Sequence, residues 1–186
     1  MKILAVSGST RQQSTNTALL KAIQSISHDD IALTVFDVIG NLPVFSPDLD
    51  GPNLPESVRD FMRVIAQNDG LLISSPEYIR GIPGGLKNAI DWLVSGDQII
   101  GKPIALVHAS HRGDDMLDAL RKVLSTISNN INEELFFRLP VMKETPDAIR
   151  DILETAENRQ KAEVFLRQFS SFCQNQTGPE TSSIVL

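Results

Sequence analysis

The sequence of 186 residues is poor in the residue types that mark several classes of protein. It has one cysteine, Cys173, so neither an internal disulfide nor a multi-cysteine zinc or iron–sulfur site can form. Such cysteine usage does not suggest an oxidising compartment. No run of about 18 or more apolar residues occurs, and the chain turns polar too soon after Met1 for a signal peptide. We therefore expect a cytoplasmic protein with no membrane association.

Positive charge is also scarce. The 17 Lys and Arg residues face 23 Asp and Glu residues, which gives a net charge of −6 and argues against nucleic acid as a partner. With 41% hydrophobic and 22% charged residues, the composition is that of an ordinary globular protein, and its length suits one domain. We expect this domain to span residues 1–173, with residues 174–186 as a flexible tail. Tyr78 and Trp92 are the only Tyr and Trp, and they lie close together in the sequence.

The apolar residues follow two periods that alternate along the chain. Short apolar runs predict strands at residues 3–7, 31–38, 70–75, 104–108 and 134–139. Helical spacing predicts a helix capped by Ser14 or Thr15, and others at residues 58–66, 86–94, 116–127 and 146–172. This alternation indicates an α/β domain with a parallel sheet and helices on both faces. Residues 40–55 form an unusually long loop, typical of a lid or a contact surface.

In such sheets ligands bind beyond the carboxyl ends of the strands, so the loops after strands 1, 3 and 4 are the places to examine. The first of these loops joins a buried strand to a helix N-terminus, where unpaired N–H groups and the helix dipole favour an anion. It is neither a Walker loop nor a three-glycine dinucleotide motif, which favours a monophosphate group bound without Mg²⁺. The alternative is an ordinary capped turn. The candidate phosphate ligands are Ser9, Arg11, Ser14, Asn16 and Thr17.

The loop after strand 3 combines two prolines with three glycines over residues 76–85. Proline restrains the backbone and glycine permits close approach, so this loop is suited to presenting backbone groups to a flat polar ligand. Tyr78 adds an amphipathic ring. A rigid turn before a core helix is the alternative interpretation.

These segments together resemble the flavodoxin-like NADPH-dependent FMN reductases, a family that includes quinone, azo-dye and chromate reductases. The resemblance rests on residues 8–11 with 14–16, on residues 76–78 with Gly81, and on the Pro-Gly-Gly-Leu-Lys-Asn-Ala-Ile-Asp-Trp segment of residues 83–92. It extends in matching order to about residue 172. It implies a three-layer sandwich whose five parallel strands have the order 2-1-3-4-5.

The resemblance also implies bound FMN, with NADPH or NADH as co-substrate. The first loop would hold the FMN phosphate. The ribityl chain and the isoalloxazine ring would be lined by Pro76, Glu77, Tyr78, Ile79 and Gly81. The family commonly has Asn where this chain has Ile79, so a backbone contact can persist there but a side-chain amide contact cannot.

The loop after strand 4 lies where relatives contact the ring, which implies contacts from Ser110 and His111. Arg80 and Arg112 are candidates for the nicotinamide nucleotide or, alternatively, solvated surface charges. His108 and His111 lie three residues apart, but they follow a strand and lack a third ligand, so no metal site is expected.

The implied activity is hydride transfer from NAD(P)H through FMN to a small acceptor, by a ping-pong mechanism. The acceptor would be a quinone, free flavin, azo compound or metal oxyanion. Two alternatives stay open, a flavodoxin-like electron carrier that is not an enzyme and a flavin-free protein that binds another phosphorylated ligand. The resemblance further implies a homodimer or homotetramer in which residues 40–55 cover a neighbour's flavin.

Overall fold

A computed structural model describes residues 1–176, and five parallel strands form its centre. The strands are β1 Lys2–Ser7, β2 Ala32–Phe36, β3 Gly70–Ser74, β4 Ile104–His108 and β5 Ile131–Arg138. Their order is β2-β1-β3-β4-β5, which confirms the predicted topology. Since β1 and β3 are neighbours and β2 lies outside, the connections diverge on either side of β1, and the loops after β1 and β3 meet at that point.

Six α-helices cover the two faces of the sheet. They are α1 Thr15–Ser25, α2 Glu56–Ala66, α3 Gly84–Asp91, α4 Asp114–Leu124, α5 Pro146–Glu154 and α6 Ala156–Gln176. Side chains alternate across the sheet, so Ile3 and Ala5 of β1 pack with α1, α5 and α6, whereas Leu4 and Val6 pack with α2, α3 and α4. The result is the expected three-layer sandwich. Among the described residues, no helix combines the length and apolarity needed to cross a bilayer.

The single long helix predicted for residues 146–172 is wrong, because α5 and α6 meet at a break. The backbone of Thr155 is extended there, with φ −56° and ψ 143°. The Thr155 hydroxyl and the Asn158 amide each donate to the Ile152 carbonyl, both at 2.9 Å. The Thr155 N–H donates to the same carbonyl at 3.4 Å, so this carbonyl at the end of α5 is satisfied although the helix stops. Helix α6 continues to Gln176, whereas the rest of the predicted tail, residues 177–186, lies outside the described residues.

The long loop of residues 40–55 is ordered by helix α3. It contains three short 3-10 turns, and the Pro43 carbonyl accepts hydrogen bonds from Asn88 Nδ2 at 2.9 Å and from Trp92 Nε1 at 2.7 Å. Asn88 Oδ1 accepts from the Phe45 N–H at 2.8 Å, and the Phe45 ring meets the edge of Trp92. Trp92 is completely buried. The Asn and Trp of the sequence motif therefore clamp this loop to α3.

Candidate functional site

The loops after β1 and β3 are in direct contact at the carboxyl edge of the sheet. The Gly8 N–H donates to the Ser74 carbonyl at 2.7 Å. A Cβ atom at Gly8 would lie 2.7 Å from Ser75 Oγ and 2.8 Å from Leu86 Cδ2, closer than real Cβ contacts. Only glycine therefore allows the two loops to come this close.

Several polar side chains of the β1–α1 loop and of the first turn of α1 are buried and hydrogen-bonded. Ser14 caps α1 by accepting the Thr17 N–H at 3.3 Å, as predicted for one of its two candidate caps. The Thr17 and Ser7 hydroxyls are 2.7 Å apart, and Asn16 Oδ1 accepts from Ser74 Oγ at 2.9 Å. Thus Asn16 and Thr17 tie the start of α1 to the ends of β1 and β3. The loop is preorganised before any ligand arrives.

Features of this loop fit an anion. The first N–H groups of α1, those of Thr15 and Asn16, point out of the helix end without an acceptor inside the helix. Ser9 is buried, whereas Arg11 is exposed and forms no ion pair within residues 1–176. A free guanidinium beside a helix N-terminus supplies local positive charge to a protein whose net charge is −6.

The loop after β3 forms a two-residue hairpin. Tyr78 and Gly81 exchange backbone hydrogen bonds of 3.2 and 3.0 Å, and the two residues between them have positive φ, 50° at Ile79 and 58° at Arg80. Such a turn favours Gly, Asn or Asp, and a β-branched residue in this region is strained. The Tyr78 side chain is 52% exposed and Ile79 is fully exposed.

Charged side chains anchor the hairpin to α4. Glu77 Oε2 accepts the Met116 N–H at 3.1 Å, in the first turn of that helix. Arg80 Nε donates to Asp115 Oδ2 at 2.5 Å. The Glu77 carboxylate thus caps α4 and stabilises a helix N-terminus. Arg80, a candidate for the nucleotide, is paired instead with Asp115.

A cavity of about 210 Å³ opens where all three loops meet. It brings together the predicted residues Asn16, Pro76, Glu77 and Ser110. Sequence reasoning did not place His108 and Met142 in the site. The complete lining is Thr15, Asn16, Pro76, Glu77, His108, Ala109, Ser110, Arg112, Gly113 and Met142. The other predicted residues do not line the cavity. They are Ser9, Arg11 and Ser14 in the first loop, Thr17 in α1, Tyr78, Ile79 and Gly81 in the hairpin, and exposed His111 in the loop after β4.

His108 is the buried histidine of this site, only 1% exposed. Its Nε2 lies 2.5 Å from the Arg112 carbonyl, which can only accept, so Nε2 carries the proton. Its Nδ1 is buried, and no group among residues 1–176 forms a hydrogen bond of good geometry with it. Burial lowers the pKa of His108, which keeps the ring neutral. Gly113, with φ 103°, completes this arrangement, because a Cβ there would lie 2.8 Å from Nε2.

Two other features lie apart from this edge. A larger cavity of about 480 Å³ runs between β5 and α6 and contains none of the predicted ligands. Cys173 is fully buried beside Gly70, and burial raises the pKa of its thiol to about 12, so it stays a thiol at neutral pH.

Comparison with known proteins decides the family. A family model described as NADPH-dependent FMN reductase matches residues 1–135. The chain belongs to the NADPH-dependent FMN reductase family. The match contains all the predicted site residues, from Ser9 to His111, and most of the sheet.

Several curated relatives are named quinone reductases. The chain is 43% identical over 113 residues to a 2-hydroxy-1,4-benzoquinone reductase of Burkholderia sp, an alignment that covers 59% of this chain and 61% of the relative. It is 31% identical over 116 residues to a quinone reductase of Escherichia coli K12, with 61% of each chain covered. The alignments thus span about three-fifths of these relatives.

A solved structure agrees with the fold. FerB from Paracoccus denitrificans, a flavoenzyme NAD(P)H:(acceptor) oxidoreductase, superposes with a TM-score of 0.67 at 24% identity, covering 93% of this chain and 95% of that one.

The family implies FMN as cofactor with NAD(P)H as co-substrate, and the residues present fit FMN. The first loop supplies a buried hydroxyl at Ser9, free helical N–H groups and the unpaired Arg11 guanidinium for a phosphate. The hairpin and the 210 Å³ cavity adjoin that loop, as a ring attached to the phosphate through a ribityl chain requires.

Proposed function

We propose that the protein is an FMN-dependent NAD(P)H oxidoreductase that reduces a small acceptor such as a quinone. The observation that carries the proposal is the junction of a phosphate-binding loop, a rigid hairpin and a cavity at the point where the strand connections diverge. The curated relatives' quinone reductase activity supports the acceptor class.

The chemistry that FMN supplies when bound is hydride acceptance from NAD(P)H and its onward transfer to the acceptor at the same face, which implies ping-pong kinetics. The protein then has to bind and orient. Arg11, Ser9 and the helix N–H groups hold the phosphate, whereas Pro76 and Glu77 present backbone to the ring. Arg112 is exposed, unpaired among residues 1–176, and lines the cavity, so it is the better placed of the two arginines for a nucleotide phosphate.

We also propose a homodimer or homotetramer. Val44 is 83% exposed on the loop that α3 clamps, and Val94, just beyond α3, is 63% exposed. Exposed apolar residues around one helix are typical of a subunit interface. A monomer by sedimentation at micromolar concentration would contradict this part of the proposal.

The test is FMN loading followed by turnover. Purified protein should be yellow or take up added FMN with quenching of flavin fluorescence, and should then oxidise NADPH or NADH with a quinone as the acceptor. Double-reciprocal plots of the initial rate against the quinone concentration should give parallel lines at several fixed NADPH concentrations, which would support the ping-pong mechanism. A flavin-loaded protein without turnover would be an electron carrier, and a protein that never binds FMN would bind another phosphorylated ligand.

A further inference from the structure

Ile79 combines two unfavourable properties at the edge of the site. Its φ of 50° is one that β-branched residues rarely adopt, and the residue is fully exposed. Neither strain nor exposure stabilises the isolated chain. A strained residue at a functional edge is a reason to look for a role that requires it.

The turn has a definite consequence for the direction of this side chain. Tyr78 and Gly81 hold the two ends of the turn by mutual backbone hydrogen bonds, and Arg80 is tied to Asp115 of α4. Ile79 is therefore fixed at the tip while nothing in residues 1–176 covers it. Tyr78, itself half exposed, precedes it, so the tip presents an aromatic and an aliphatic side chain together.

This apolar tip directly follows the part of the hairpin that lines the cavity. Pro76 and Glu77, at the base of the same hairpin, line the cavity wall. Met142, 37% exposed, lies on another part of the lining and adds an apolar surface with its sulfur 3.6 Å from Ser110 Oγ. The lining carries charge from Glu77 at the base of the hairpin and from Arg112 on the β4–α4 loop. Exposed apolar surface beside this charged lining comes from Met142 and from the hairpin tip.

We propose that Ile79 determines acceptor specificity by providing an apolar contact for planar, uncharged quinones at the mouth of the cavity. The inference rests on the proposed reductase function, whose acceptor site it narrows. An apolar quinone gains from covering Ile79 and Tyr78, whereas a small charged acceptor gains nothing from that surface. The occupant is the acceptor and not a second copy of the chain, because the tip directly follows Pro76 and Glu77, which line the cavity.

The experiment compares two acceptors in FMN-loaded protein, 2-methyl-1,4-naphthoquinone and ferricyanide. In ping-pong kinetics, kcat/KM for the acceptor reports only the acceptor half-reaction, so the ratio of the two values isolates acceptor recognition. Ile79→Asn should lower the ratio of the naphthoquinone value to the ferricyanide value by roughly tenfold, the effect of removing one apolar contact. Ile79→Val, which keeps an apolar side chain, should leave the ratio within about twofold of the parent protein.

Further variants separate the effect of losing the apolar side chain from the effect of relieving the backbone strain. Ile79→Gly also relieves the turn, and it should lower the ratio as much as Ile79→Asn does. Both should raise the thermal midpoint of the FMN-free protein, by about 2–4 °C. Ile100→Asn is the matched control, because Ile100 is 70% exposed near the amino ends of the strands, at the opposite edge of the sheet. Ile100→Asn should change neither the ratio of the two acceptor values nor the thermal midpoint.

The outcomes are distinct. An unchanged ratio in Ile79→Asn, with normal turnover, overturns this inference and leaves the reductase function intact. A change in sedimentation behaviour with an unchanged ratio would assign the tip to a subunit interface, which also overturns it. Absence of NAD(P)H turnover in the parent protein, loaded with FMN, would instead refute the proposed function itself. Equilibrium dialysis of the naphthoquinone against loaded protein without NADPH gives a reading independent of turnover, and Ile79→Asn should weaken that binding.

Discussion

The β1–α1 loop and the β3–α3 hairpin border the same cavity but are built in opposite ways. The first is held to the strand ends by buried bonds from Asn16 and Thr17 at the start of α1, whereas the second exposes apolar side chains on a turn with two positive φ angles. A buried, bonded loop fits a ligand group that never changes, such as a phosphate. An exposed tip fits a substrate that varies from one reaction to the next. The fixed and variable parts of the site are thus on separate loops.

The largest expected effect comes from forcing these two loops apart. In Gly8→Ala the new Cβ would meet Ser75 and Leu86 at 2.7 and 2.8 Å, so unfolding free energy should fall by about 1–3 kcal/mol. FMN affinity, measured by fluorescence quenching, should fall by on the order of tenfold. Gly84→Ala is the control, because a Cβ there has no neighbour within 4 Å. Equal behaviour of the two variants would contradict the close approach of the loops.

The next largest expected effect on stability comes from Asn88, which ties the loop of residues 40–55 to α3. Asn88→Ala removes the partner of the Phe45 N–H and one donor to the Pro43 carbonyl. Losing these half-buried hydrogen bonds should lower the unfolding free energy by about 1–2 kcal/mol, which urea denaturation should detect. Cleavage near residue 44 by a protease should become faster. Lys87→Ala, at the neighbouring exposed position, removes only a surface ion pair with Asp91. If both variants behave alike, Asn88 is not a clamp.

Glu77 tests whether the hairpin depends on α4. Glu77→Ala leaves the Met116 N–H without its acceptor and should lower stability by about 1 kcal/mol, the usual effect of losing a helix cap. Glu77→Gln keeps an oxygen in place and should lose less. FMN affinity should fall with stability in the Ala variant, because the hairpin loses its anchor. A Gln variant as impaired as the Ala variant would show that the charge, and not the hydrogen bond, matters.

The smallest effect is a pH dependence from His108. Its pKa is lowered in the folded protein, so between that value and the ordinary 6.5 the unfolded chain binds a proton that the folded chain does not. Stability should therefore decrease as the pH falls below about 6.5. Urea denaturation between pH 7.5 and 5 should show a smaller loss of stability in His108→Gln than in the parent protein. The Gln side chain can still donate to the Arg112 carbonyl, so equal pH dependence in the two proteins would contradict this role of His108.

Local patterns predicted much of this fold. Apolar runs located all five strands, although β2 is shorter and β5 begins earlier, at Ile131. They missed the break at Thr155, because an amphipathic stripe continues through it and only the side-chain bonds to Ile152 reveal where the helix ends. The candidate ligands of the first two loops were predicted from their place after buried strands and from the family resemblance. His108 was correctly predicted to end a strand, but no local pattern indicated that its ring lines the cavity.

The sequence by itself determined the α/β class, the candidate loops and, through its motifs, the family, because these depend on local periodicity and on residues close together in the chain. Only the tertiary structure decided what individual side chains do. Asn88 and Trp92 both donate to the carbonyl of Pro43, which is 45 residues before Asn88 in the sequence, and so clamp the loop. Glu77 caps α4, and His108 holds the Arg112 carbonyl. Such roles depend on which groups meet in space, and no local pattern of residues encodes that.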